Sequence, residues 1–137
     1  MALNIISRAA RDTDSFQLRD GNDELMFDGE TPVKVTVYGP GSKQWQQAQA
    51  KANTRGIERL RKKGKVEITA EEQTKQNAEH LAAITQGFEG LVYGDENLTG
   101  RDLALAIYSN PQLGYIGDQV TRHANDWANF TKPFSTT

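Results

Sequence analysis

The chain has no cysteine, which removes disulfides, thiol nucleophiles and cysteine-rich zinc sites together. Apolar material is scarce: 36% of 137 residues, with a mean hydropathy of -0.68. A single domain with a thin core and much polar helix surface is the expected result. Long hydrophobic runs are missing as well. The apolar part of MALNIISRAARDTD is too short for a signal peptide, and no stretch approaches a membrane span. No one sign of charge dominates. A net charge of -2 and a pI of about 5.7 argue against general nucleic-acid or anionic-membrane binding. Aromatics are few but present (Phe 5, Tyr 4, Trp 2), which argues against wholesale disorder.

Catalytic constellations are missing too. His80 and His123 are the only histidines, and they fall on different expected helices. No HExxH or comparable metal-ligand spacing occurs. Carboxylates gather in turns and in the first turns of helices, where they stabilise N-termini. No pair of them is set apart as an acid beside an ionised base. Gly39-Pro40-Gly41-Ser42-Lys43 lacks the spacing of a phosphate loop, and Pro40 removes one of the N–H groups a cradle needs. Asp20-Gly21-Asn22-Asp23 offers oxygen ligands without the order of a calcium loop. The expectation is a protein that is not an enzyme, with no catalytic residue, metal or cofactor.

What remains is patterned. Residues 1–14 carry no sustained period and read as a flexible arm. Phe16 and Leu18, then the turn Asp20–Asp23, then Leu25 and Phe27 read as a β-hairpin. Val33, Val35 and Val37 alternate with Lys34, Thr36 and Tyr38, as in a half-buried strand. Ser42 is placed to cap a helix running to about Lys63. Arg55 to Lys65 holds six basic residues against Glu58, with Gly64 as a stop. These cations suit a helix C-terminus, and the acidic run Asp20, Asp23, Glu24, Asp28, Glu30 offers them an internal or partner counter-charge. Thr69 and Glu72 form a capping box for a helix with Ala78, Leu81, Ala82, Thr85 and Phe88 on one face. Thr99 is placed to cap a third helix, with Leu98 and Leu103 at the staple positions. Asn110 and Pro111 open a fourth of about five turns, with Leu113, Ile116, Val120, Ala124 and Trp127 along one stripe. The predicted fold class is α+β: a small N-terminal antiparallel hairpin or sheet, then about four helices, mostly helical. Residues 15–130 form its single domain and 131–137 a flexible tail.

Two surfaces stand out as partner-binding candidates. Trp45, Ala48, Ala52, Gly56 and Leu60 share one side of the first helix, and its small residues would let another backbone approach closely. Trp127, Phe130 and Phe134 form an aromatic end. Trp45, Trp127 and Phe130 are equally the kind of residue that anchors a helix in a core, whereas Phe134 lies beyond the last helix beside Pro133.

From about Gly29 to Phe130 the chain resembles the small tail assembly chaperones of long-tailed, siphovirus-type bacteriophages. The resemblance lies in VKVTVYGPGSKQW, in TQGFEG, in ENLTGRDLALAIYSNP and in IGDQVTRHANDWANF. It is most specific at Tyr108, Pro111, Ile116, Gln119, Val120, Trp127, Asn129 and Phe130. It implies a non-enzymatic protein that binds the tape-measure protein and helps the tail-tube protein polymerise around it. A homo-oligomer is compatible with that role. No nucleic-acid or membrane partner is implied. Such a protein works in the cytoplasm of the bacterial host. The competing expectation is a structural subunit of the virion, in the tail or at the head–tail junction, whose loose N-terminal arm laces neighbours together.

Overall fold

The computed structural model describes residues 2–63 and 69–131. It is an α+β fold, as the sequence pattern predicts. Strand β1 (Thr13–Gln17) pairs antiparallel with β4 (Lys34–Tyr38), and β4 pairs antiparallel with β5 (Thr85–Glu89). Between the first two lies a short hairpin, β2 (Phe27–Asp28) and β3 (Thr31–Pro32), turning at Gly29 with φ +65°. The helices are α1 (Lys43–Lys63), α2 (Ala70–Ala83), α3 (Gly100–Ser109), α4 (Gly114–Ala124) and α5 (Ala128–Thr131). A 3-10 turn, Pro111–Leu113, joins α3 to α4.

The central strand sets the core. Val33, Val35 and Val37 point inward and are buried, while Lys34 on the opposite face is exposed. The helices cover this inward face: α3 and α2 lie against β5, and α4 reaches β4. Leu103, Ala104 and Ile107 of α3 and Ile116, Val120 and Ala124 of α4 complete the interior. Both stripes recur at three- and four-residue steps, as a helix packed by one side requires. Tyr108 is also inside, where burial pushes its phenol well above the ordinary value against the opposing effect of a bond to Thr85. Thr85 donates its hydroxyl proton to the Leu81 carbonyl (2.7 Å), so at the 2.7 Å contact with Thr85 it is Tyr108 that donates.

Several sequence expectations need correction. The strand β1 starts at Thr13, within the segment read as an arm. Its ladder partner is β4, while residues 25–28 meet the chain mainly just after it: Arg19 bridges Leu25, the Met26 N–H donates to the Leu18 carbonyl (2.9 Å), and the Gln17 amide donates to the Met26 carbonyl (2.9 Å). Five alternating positions on β4, two of them fully buried valines, offer a longer ladder than a two-residue strand can. The helix expected to include Thr85 and Phe88 stops at Ala83. The next residues form β5, which pairs the second edge of β4 and bulges at Gln86, between Thr36 and Val37 of its partner. Leaving that edge of β4 bare beside the core would strand backbone donors. Thr99 stands at the N-cap of α3 but makes no side-chain bond there. The caps by Ser42, Thr69 and Asn110 are made, at 3.1, 3.1 and 3.0 Å. The five-turn last helix is broken. After Ala124 the Asp126 carboxylate accepts from the Ala128 N–H (3.0 Å) and restarts the chain as α5. The expected stop at Gly64 and the tail 132–137, Phe134 included, lie outside the described residues.

Candidate docking surfaces

The two ends of the described chain are clasped together. Asp14 on β1 accepts from His123 on α4 (Oδ2 to Nε2, 2.6 Å) and from Arg11 (3.1 Å). The same Arg11 guanidinium donates to the Asn129 carbonyl (3.1 Å), and its backbone N–H donates to the Phe130 carbonyl (2.8 Å). The His123 imidazole stacks on Phe16 at 4.0 Å and meets Phe130 edge-on at 6.1 Å. A carboxylate–imidazole pair is half of a nucleophile-activating relay. Here its hydrogen bonds join β1 to α4, and no hydroxyl of a described residue is bonded to the ring. Mechanically, the pair ties the sheet edge to the last two helices. Nothing in the sequence marks two residues 109 apart as partners; the one available hint is that His123 flanks the stripe of Val120 and Ala124.

Gln119 makes a second long-range tie. Its amide accepts from the Arg19 N–H (2.7 Å) and donates to the Arg19 carbonyl (2.8 Å), imitating a neighbouring strand. This places α4 over the start of the acidic turn.

The candidate residues divide between interior and surface. Phe130 is 0% exposed, and its ring lies against Gly39, where an added Cβ would sit 2.5 Å from Cδ1. Ala48 is also buried, on the side of α1 that faces α2. The close approach that the small residues permit is therefore partly used within the molecule, by α2 itself. Ala52 is half-buried, and an added Cβ at Gly56 would meet no atom within 4 Å. Trp45 packs against the core with its indole N–H shielded and without a described acceptor. Trp127 is 55% exposed. One edge of its ring covers Gly41 beside Ala10, the root of the segment that carries exposed Leu3, Ile5 and Ile6.

Sequence reasoning missed an apolar groove between the β2–β3 hairpin, residues 91–93 and the α3–α4 junction. It is open to solvent, encloses about 460 Å³, and has Val33, Ile107 and Ile116 in its floor. Leu25, Phe27 and Val92 stand exposed at its rim. A larger open cleft of about 700 Å³ runs along α1 past Ala48, Lys51 and Arg55 towards Ala83 and Arg101. Nearby His80 has its pKa lowered, chiefly by burial and also by the charge of Arg55, against the opposing pull of the Ala48 backbone. No group of three or more metal-ligating side chains occurs among the described residues, and no described helix is long and apolar enough to cross a membrane.

Compared with known proteins, the chain matches no family model, no curated protein and no solved structure.

Proposed function

We propose that this protein is a tail assembly chaperone of a long-tailed bacteriophage, acting without catalysis. It binds the tape-measure protein and gives way as the tail tube polymerises around it in the host cytoplasm. One observation carries the reading: Trp127, a residue of the segment that resembles the family most, lies on the outside, where its ring covers Gly41 close to Ala10. A large amphipathic ring fixed over a folded body is the type of anchor that receives the apolar face of a helix. The part-buried bonds of the body (Asp14 with His123, Tyr108 with Thr85) are made within the fold, which is consistent with a binding role.

Co-expression with the tape-measure neighbour tests the proposal. The client is expected to stay soluble with this protein, and Trp127→Ala is expected to reduce its soluble fraction while leaving the variant folded. A client that is equally soluble alone removes the assignment. The exposed Leu3, Ile5 and Ile6 favour one other reading, a virion subunit whose arm laces neighbours together. Mass spectrometry of purified particles separates the two, because a subunit is present at stoichiometric level and a chaperone is not.

A further inference from the structure

The cleft along α1 carries charge of one sign. Gln44, Gln47, Ala48, Lys51, Thr54 and Arg55 recur at i, i+3, i+4, i+7, i+10 and i+11, so one face of α1 forms a wall about three turns long. Ala83, at the end of α2, and Arg101, in the first turn of α3, line it as well. Lys51, Arg55 and Arg101 thus converge from two helices on one space of about 700 Å³, and no carboxylate of a described residue lines it.

These cations are poorly answered within the fold. Lys51 and Arg55 stand at i, i+4, where like charges oppose each other. The side chains of Lys51 and Arg101 have no hydrogen-bond or ion-pair partner among the described residues. Arg55 meets Glu79 only at 3.8 Å, beyond hydrogen-bond length, and its shielded Nε has no described acceptor. A basic face left unpaired in a chain of net charge -2 is complementary to an acid from outside. The shape narrows the kind of acid. The apolar part of the cleft is Ala48, Ala50 and Ala83, side chains small enough for a second helix to lie close. No aromatic ring of a described residue lines it, so a nucleic-acid base would find no stacking platform there.

We propose that this cleft receives an acidic amphipathic helix of another protein. A ridge of small or aliphatic side chains lies on Ala48 and Ala83, and aspartates and glutamates on its flanks meet Lys51, Arg55 and Arg101. The contact spans about three turns, so binding is weak, reversible and sensitive to salt. Trp127 does not line the cleft, and the inference does not rest on the function proposed above.

Fluorescence anisotropy with the full chain tests it. The probe is a labelled helical peptide of about four turns, with an alanine and leucine ridge flanked by glutamates. It is stapled through its side chains, because free helices of this length are marginal in water. A second peptide has every glutamate replaced by lysine. The acidic peptide is expected to bind saturably at low salt and to be released at about 1 M NaCl, where the screening length is about 3 Å. The lysine peptide is expected not to bind. Lys51→Gln and Arg101→Gln change exposed side chains, and each is expected to weaken binding about two- to fivefold with an unchanged circular dichroism spectrum. Lys51→Glu combined with Arg101→Glu is expected to lose the acidic peptide and gain the lysine one. Ala50→Trp, on an exposed position inside the cleft, is expected to block entry. Absence of saturable binding overturns the proposal, as does equal binding of both peptides or an affinity indifferent to Lys51 and Arg101. Binding that survives Ala50→Trp overturns it too, since the charges would then act without the cleft. So does a short DNA duplex that displaces the peptide and depends on the same two cations, which would assign the cleft to phosphates.

Discussion

The corner where the chain ends meet and the far half of α1 are built on opposite terms. At the corner, residues far apart in sequence lock one another. Asp14 holds His123, Arg19 holds Gln119, and the Phe130 ring fills the space that Gly39 leaves. The two hydrogen-bonded ties join residues 109 and 100 apart, so their cost in chain entropy falls on the folding transition as a whole. The far half of α1 is held mainly by its own turns. Gly56 sits in open space, and Ile57 and Leu60 face outward. Loss of a corner contact should therefore cost the protein much of its stability, whereas changes on distal α1 should cost it little.

The largest effect should come from Phe130→Ala. Emptying a fully buried ring position costs about 3–5 kcal/mol, much of a small domain's stability. Urea unfolding with a shifted midpoint and unchanged slope would show it. A loss below about 1 kcal/mol would mean that Phe130 is no anchor and that the comparison is drawn in the wrong place. Gly39→Ala attacks the same contact from the other side. A methyl there would overlap the ring at 2.5 Å, and the ring has no free space to retreat into. The expected loss is about 2–3 kcal/mol in the same assay. Gly39→Ala combined with Phe130→Leu should cost less than the sum of the two, since the smaller side chain relieves the overlap.

The legible part of the fold was the part with a period. Val33, Val35 and Val37 announced β4 by alternation, and Leu103 to Ile107 announced α3 by helical spacing. Caps were readable where a side chain makes a local bond, as at Ser42, Thr69 and Asn110. The errors were of two kinds. Thr85–Glu89 continues the helical period of α2 closely enough to pass as helix, and only the bare edge of β4 makes it a strand; that is a tertiary cause. Trp127 continues the stripe of α4, but Asp126 breaks the helix one residue earlier and turns the indole outward, three residues before Phe130 turns in. Of the candidate surface residues, Ala48 is interior, and Phe130 is the core anchor that its other reading made it. The groove at Leu25, Phe27 and Val92 had no sequence signature, because three segments from different parts of the chain assemble it.

Distal α1 can be tested with a gain in place of a loss. Gly56→Ala puts a methyl where nothing lies within 4 Å, in the interior of a long helix. Relative helix propensity then raises stability by about 1 kcal/mol, read as a higher urea midpoint. A decrease would show that something packs against Gly56 and that this half of α1 is held by tertiary contacts as firmly as the corner.

The smallest effect lies where α1 meets α2, at His80. Burial and the nearby Arg55 charge lower its pKa below the ordinary 6.5, against the opposing pull of the Ala48 backbone. The unfolded chain therefore takes up a proton at a higher pH than the folded one. Between the folded pKa and 6.5 the unfolded state binds more protons, so stability falls as pH drops through that window. Above about pH 7.5 both states are neutral and the contribution is flat. Carboxylates titrate over part of the same range, so the useful quantity is the difference in unfolding free energy between wild type and His80→Gln. That difference should be constant at neutral to alkaline pH and should move against the wild type on acidification. Movement in favour of the wild type would mean that the folded protein holds the protonated imidazole more tightly, and that the α1–α2 joint is built around a charge instead of a neutral ring.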